Sequence, residues 1–364
     1  MISDRPALPA SLSRLSGLVL ALCLLPTLLS AEGIRIATWN VSLDRTGPGL
    51  LVGDLTRADD PQIAAVVRVL VALKADVILL TAIDYDRGGV ALGLLADRLA
   101  AAGVDYPHRF AFRPNTGLQT GFDVDGDGRI GGPRDAQGFG LYSGQGGMAV
   151  LSRLAIDTDA ARDLSGFLWR DLPGALIPGG TDPGLMEVQR LATTGFWDVP
   201  VLTASGPLHL LAWHATPPVF DGPEDRNGRR NHDEAAFWRL FLDAALPMQP
   251  PPMPFVLLGD GNLDPADGDG LRDGMAALLA HPVLQDPRPQ GPHGRTEPAH
   301  QGDPALDTVL YDGLGGLRLD YVLPAAGLTV TGAGVLWPTP DDPLAADLAA
   351  ASRHYPVWVD IDLP

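Results

Sequence analysis

Residues 255–265 read FVLLGDGNLDP, and this stretch decides how the rest of the chain is read. An apolar run from Phe255 to Leu258 stops at Gly259-Asp260-Gly261-Asn262, so a buried strand delivers a carboxylate and an amide at its tip. Strand side chains alternate, which predicts Asp260 and Asn262 on one face. A carboxylate can hold a metal or orient a nucleophilic water, and an amide can hydrogen-bond a phosphoryl oxygen. Read alone, the same residues also describe an Asp-Gly turn after a strand.

The pattern recurs on both sides. IRIATWNV (34–41) carries Asn40 near its end, LHLLAWH (208–214) ends in His214, LRLDYVLP (317–324) carries Asp320, and SRHYPVWVDI (352–361) has His354 opening a strand. ADVILLTAI (75–83), GMAVLSRL (147–154) and DVPVLTA (198–204) read as further strands. Helical spacing of apolar residues marks 59–74, behind an Asp and an early Pro, and DEAAFWRLFLDAAL (233–246). No linker divides the chain, and the candidate residues run from Asn40 to His354, so one domain of two packed sheets flanked by helices is expected. The segments 112–145 and 157–190 are long and rich in Gly, Asp and Pro, and loops of that length in a compact domain are either functional or disordered.

Arg5 and Arg14 precede an apolar run from Leu15 to Leu29, followed by Ser30 and Ala31. That is the layout of a signal peptide, and the run is too short, and broken by Pro26, for a retained span. Export with cleavage near Ala31 is expected, giving a signal peptide at 1–31, a functional domain at 32–364, and a periplasmic or secreted product with no stable membrane span. The only cysteine, Cys23, lies in the leader, so any metal of the remainder must sit on oxygen and imidazole. The formal charge of -18 becomes about -19 once Asp4, Arg5 and Arg14 leave. Such a surface repels polyanions at long range and argues against nonspecific nucleic-acid binding.

Asn40, His214, Asp260 with Asn262, Asp320 and His354, in that order at strand ends, resemble the endonuclease/exonuclease/phosphatase family, and the resemblance spans nearly the whole chain after the leader. GQGGMAVLSR (144–153), TPPVFDGPEDRNGRRNHDE (216–234) and LRLDYVLP look like marks of a bacterial exported subgroup. The resemblance implies a deoxyribonuclease-like, four-layer α/β sandwich with two packed mixed β-sheets flanked by helices. It implies metal-assisted attack of water on a phosphodiester or phosphomonoester, with Mg²⁺ or Mn²⁺ as cofactor. The partner would be a small phosphate ester, a lipid headgroup or a nucleic acid. Carried over, His354 is the general base or transition-state partner, oriented by Asp320. His214 donates to the phosphate or leaving oxygen, Asp260 and Asn262 orient water and metal, and Asn40 binds near metal or phosphate.

Two departures fall on the implied metal ligands. Ala82 stands where a Glu is expected, and Ser352-Arg353-His354 replaces Ser-Asp-His. A methyl cannot coordinate a hard cation and a guanidinium repels one, so metal affinity should fall. Arg353 can clamp phosphate instead, and Asp84, two residues past Ala82 on the same strand face, can join Asp260 as a substitute metal carboxylate. Two readings follow: an exported metal-dependent phosphoesterase with an altered ligand set, or a catalytically silent phosphate- or anion-binding protein on the same fold.

FDVDGDGRIGGPRD (122–135) matches half of a calcium loop, with Asp123, Asp125 and Asp127 before Gly128, Arg134 in twelfth place, and Asp135 after it. Weak Ca²⁺ binding that pins the loop competes there with an acidic turn. The run DPADGDG (264–270) reads as a solvated loop. Arg226, Arg229 and Arg230 either face an anionic substrate or pair with Glu224, Asp225, Asp233 and Glu234. Trp39, Trp197, Trp213, Trp238 and Trp358 are expected in the core.

Overall fold

A computed structural model of the chain describes residues 1–2, 33–57 and 59–363. The proposed leader, with Cys23 and its cleavage point, lies outside the described residues, and residues 32–364 form a unit of their own. Among the described residues thirteen strands build it: β1 (Gly33–Leu43), β2 (Val77–Ile83), β3 (His108–Phe110), β4 (Gly147–Ser152), β5 (Arg162–Asp163), β6 (Gly195–Thr203), β7 (Gly206–His214), β8 (Phe255–Asp260), β9 (Val309–Tyr311), β10 (Gly315–Leu317), β11 (Asp320–Pro324), β12 (Thr329–Val335) and β13 (Val357–Asp362). The α-helices are α1 (Leu50–Thr56), α2 (Pro61–Leu73), α3 (Val90–Ala101), α4 (Pro183–Met186), α5 (Arg226–Leu242), α6 (Arg272–Leu279) and α7 (Ala345–Ala351).

Two mixed sheets carry the fold. One runs β12-β13-β1-β2-β4-β3, the other β11-β8-β7-β6-β5, and β9 and β10 make a small hairpin apart from both. Each large sheet contains one parallel pair, β1 with β2 and β7 with β8. A parallel pair needs a crossover, and helices supply it. Between β1 and β2 lies α2, started by the Asp60 carboxylate accepting the Ile63 N–H at 3.0 Å, with Pro61 in its first turn. It buries Ile63, Ala65, Val66, Val69, Leu70 and Leu73, and α1, α3 and α7 join its layer. Between β7 and β8 lies α5, with α6 beside it. β1, β2 and β13 pack against β8 and β11, so the layers run helix, sheet, sheet, helix. Trp39, Trp197, Trp213 and Trp238 are fully buried, while Trp358 is half-buried under the Arg35 guanidinium, 4.0 Å from the ring centroid. No helix among the described residues is long and apolar enough to cross a membrane.

Three boundaries depart from the sequence pattern. α5 begins at Arg226 rather than Asp233, because its polar first half is buried by hydrogen bonds that hydropathy does not register. Arg230 donates to the carbonyls of Leu191, Arg190 and Ala192, Asn231 donates to those of Thr216 and Gly261, and Glu234 accepts the N–H groups of Thr193 and Thr216. The arginines of this stretch do not bridge the four nearby carboxylates: Arg226 binds Gln189, and Arg229 binds the Glu224 carbonyl. LRLDYVLP is split, with Leu317 closing β10 and Asp320 opening β11. His354 precedes β13 rather than opening it.

Candidate active site

The register of the second sheet creates the site. His214 of β7 is the partner of Asp260 in β8, and Asp260 is in turn the partner of Asp320 in β11. Registered neighbours point to the same face, so three polar side chains stand in a row at about 4.8 Å spacing. Asp260, fully buried, is the centre of that row. Asn40, from the facing sheet, donates its amide to Asp260 Oδ2 at 2.9 Å, which joins the two sheets at this point. Asn262 arrives by a turn rather than by strand alternation: β8 ends at Asp260, and Asn262 takes a left-handed φ of 51°. Its N–H donates to Asp260 Oδ1 at 2.9 Å, and its side-chain amide donates to the Ala215 carbonyl at 2.9 Å. Gly259 makes the strand end possible, because a Cβ there would stand 1.8 Å from the Trp213 carbonyl oxygen.

His354 reaches the row from the chain just before β13, tied down by Trp39 Nε1–H donating to its carbonyl at 2.8 Å. Its Nδ1 meets Asp320 Oδ2 at 2.8 Å, and the same oxygen accepts the Thr308 hydroxyl at 2.8 Å. Asp320 Oδ1 is buried without a partner. Burial pushes the Asp320 carboxyl up to about 6. Burial opposes charge on His354 as well, but the Asp320 carboxylate outweighs it and holds the imidazole above its ordinary value. His214 goes the other way, since burial keeps it below the ordinary value despite Asp260, whose Oδ2 lies 3.5 Å from His214 Nε2. The Tyr311 hydroxyl is 3.5 Å from His354 Nε2. Thr308 and Tyr311 gave no sequence signal, because the short β9 lacks an alternating run. Arg353 is exposed beside His354, and its guanidinium has no partner among the described residues.

Asp84 does not stand with Asp260. Its oxygens accept the N–H groups of Arg45 at 3.0 Å and Gly146 at 3.1 Å, so it holds two loops together. Ala82 sits in a bulge of β2 with φ 54°, so the chain turns away from strict alternation at that residue. A surface hollow of about 330 Å³ lies beside Asp84, Asp86 and Arg109, but none of the convergent residues lines it.

A hard divalent cation next to Asn40 requires carboxylate oxygens free to bind it. Asp260 is the one carboxylate among the described residues that hydrogen-bonds Asn40, each of its oxygens already accepts one hydrogen bond, and Ala82 and Arg353 add no second carboxylate beside it. Asp260, Asp320 and His354 do bring ligand atoms within 4.8 Å of one another, yet Asp320 and His354 are bonded to each other. The residues present therefore do not fit a Mg²⁺ or Mn²⁺ site of ordinary strength here. In the segment 122–135, Asp123, Asp125 and Asp135 converge and Asp127 stays outside that group. Asp123 accepts the N–H groups of Gly126, Asp127 and Gly128, and Asp135 those of Val124, Gly131 and Gly132, so the carboxylates brace the loop themselves.

A two-sheet sandwich with a histidine, an aspartate-histidine pair and an asparagine-bound aspartate at its strand ends defines the deoxyribonuclease-like phosphoesterases as a class. The sequence model of the Endonuclease/Exonuclease/phosphatase family matches residues 37–354, and the chain belongs to that family. Its enzymes generally use divalent metals, and acidic clusters are present here. Among solved structures, an endonuclease/exonuclease/phosphatase from Beutenbergia cavernae DSM 12333 is 20% identical at a TM-score of 0.54, covering 91% of this chain and 72% of that one. Sphingomyelinase C from Streptomyces griseocarneus is 18% identical at 0.50, covering 90% and 99%. A family protein from Leptotrichia buccalis C-1013-b is 15% identical at 0.50, covering 91% and 100%. These likenesses establish the fold. No curated protein sequence matches the chain.

Proposed function

We propose that this chain is an exported phosphoesterase with an altered metal-ligand set. The observation that carries the reading is the His354 to Asp320 hydrogen bond of 2.8 Å, set beside an Asp260 held by Asn40. His354, oriented through Nδ1, leaves Nε2 to take a proton from an attacking water, and Asp320 stabilises the imidazolium that forms. His214 lies 3.5 Å from Asp260, and as a neutral imidazole it donates to a phosphoryl or leaving oxygen. Exposed Arg353 takes the place of a metal carboxylate and meets the phosphate as a two-pronged donor. A small phosphate ester or a lipid headgroup suits a chain of net charge -18 better than a nucleic acid does. The apolar stretch before residue 32 supports export. The test is hydrolysis of model phosphodiesters and phosphomonoesters with Mg²⁺, Mn²⁺, Ca²⁺ or chelator. Turnover should fall at least ~100-fold in His354→Ala, and turnover equal to the unaltered protein would refute the assignment.

The second reading, a catalytically silent anion binder, is favoured by Ala82 and Arg353, which stand where metal carboxylates are expected and leave Asp260 as the carboxylate held by Asn40. It is distinguished by phosphate binding that depends on Arg353 without turnover under any of those conditions.

A further inference from the structure

We propose that Glu297, His300 and Asp307 form a binding site for a divalent transition-metal ion of the zinc class, with Asp267 orienting the imidazole. His300 Nε2 faces three oxygens at once, the Gly316 carbonyl at 2.9 Å, Glu297 Oε2 at 3.5 Å and Asp307 Oδ2 at 3.9 Å. One N–H proton serves one of them. Asp307 is 2% exposed, and its Oδ2 is buried with no hydrogen-bond partner. A bare carboxylate oxygen inside a protein is costly unless a cation or donor meets it.

The backbone is shaped around these groups. A Cβ on Gly316 would lie 2.1 Å from Asp307 Oδ2, and one on Gly315 would lie 2.1 Å from Glu297 Oε2. The β9-β10 hairpin thus approaches both carboxylates more closely than any side chain allows. Glu297 is further fixed by Arg295 Nη2 at 2.6 Å and the Gly316 N–H at 3.1 Å. On the other edge of the ring, His300 Nδ1 is buried without a hydrogen bond and lies 3.8 Å from Asp267 Oδ2. A metal-bound imidazole commonly donates its second N–H to a carboxylate, which is the role this geometry gives Asp267. Asp267 is itself anchored by the N–H groups of Gln301 and Gly302, in the turn that carries His300.

The donor set selects the ion. Calcium takes six to eight oxygens, whereas one imidazole and two carboxylates suit zinc. Tetrahedral zinc with ligand distances near 2.1 Å places its ligand atoms about 3.4 Å apart, close to the 3.5 and 3.9 Å from His300 Nε2 to the two carboxylates, and all three ligand atoms lie within 4.8 Å of one another. The site is separate from the dyad: Asp307 adjoins Thr308, whose hydroxyl bonds Asp320, and Tyr311 lies further along the same strand. The ion would clamp the hairpin that supports the dyad and take no part in the chemistry there.

The test titrates chelator-stripped full-length protein with Zn²⁺ by calorimetry, alongside His300→Ala, Asp307→Asn and His354→Ala. One ion should bind, with affinity reduced at least ~100-fold in the first two variants, more than loss of an outer-shell partner costs, and retained in the third. Thermal unfolding of metal-free Asp307→Asn and His300→Ala is measured alongside, and zinc loss is scored only at temperatures where each variant gives the folded signal of the parent. Absence of zinc binding, parent-like affinity in either site variant, or loss confined to His354→Ala would each overturn the proposal.

Discussion

Replacing Asp320 by asparagine isolates the electrostatic part of the aspartate-histidine pair. Asparagine keeps the size and an acceptor oxygen for Thr308 or His354, but removes the charge that His354 Nδ1 meets at 2.8 Å. A hydrogen bond to a charged group contributes roughly 1.5–3 kcal/mol against about 1 for a neutral one. The difference, about 0.5–2 kcal/mol, corresponds to roughly one pKa unit at about 1.36 kcal/mol per unit. With the carboxylate gone, burial governs, and the imidazole should titrate below its ordinary value instead of above it. The linkage has a defined sign. A raised imidazole pKa contributes stability that is complete below the unfolded value near 6.5 and is lost as pH rises through the folded value. Asp320, raised to about 6 from 3.8, likewise costs stability as pH climbs through that interval. In Asp320→Asn the carboxyl contribution is gone and the imidazole contribution changes sign, so the unfolding free energy should rise rather than fall as pH climbs toward 6.5. NMR titration of the His354 ring and urea unfolding at stepped pH measure the two quantities. A His354 pKa in the folded variant that is unchanged or higher would refute this account of the pair.

Gly259→Ala should lower the yield of folded protein or its melting temperature by many degrees, since the added methyl would stand 1.8 Å from a carbonyl oxygen, and thermal unfolding reads the effect directly. Ala82→Glu combined with Arg353→Asp should bind Mg²⁺ at least ~10-fold more tightly than the parent in calorimetry. Position 82 already tolerates a left-handed φ of 54°, so a longer side chain adds no new backbone strain, and unchanged affinity would show that these positions do not face a metal. Arg353→Ala should weaken inorganic phosphate binding by about tenfold, a modest effect because the guanidinium is exposed. Millimolar Ca²⁺ should give heat that Asp125→Asn abolishes, and a flat titration of the parent removes calcium from the 122–135 loop.

Asn40, His214, Asp260, Asp320 and His354 were legible because each follows or adjoins a β-rich run, and a strand end fixes where a polar residue emerges. The order of those runs carried the two-sheet architecture as well. What the sequence concealed depends on backbone hydrogen bonding. Asp84 has the right spacing for a substitute metal ligand, but the bulge at Ala82 and two waiting N–H groups turn it into a loop brace. Asn262 reaches Asp260 through a left-handed turn that alternation does not describe. The polar start of α5 looks like a solvated loop until Arg230, Asn231 and Glu234 are seen to satisfy buried carbonyl and N–H groups. Glu297, His300 and Asp307 carry no motif spacing, and the β9-β10 hairpin folding over them gathers them into one place.

The tie between Asn40 and Asp260 spans 220 residues of chain, the Ser352 hydroxyl reaches the Asn40 carbonyl across 312, and Trp39 meets the His354 carbonyl across 315. Contacts of such separation are slow to form and are made only after the intervening chain is in order. A folding intermediate with both sheets formed but not yet docked would have most of the native secondary structure and the His214-Asp260-Asp320 row, but neither Asn40 nor His354 against it. The constellation at the seam is therefore also a checkpoint: recovery of the His354 environment during refolding should be the last signal to appear, well after the β-sheet signal has returned.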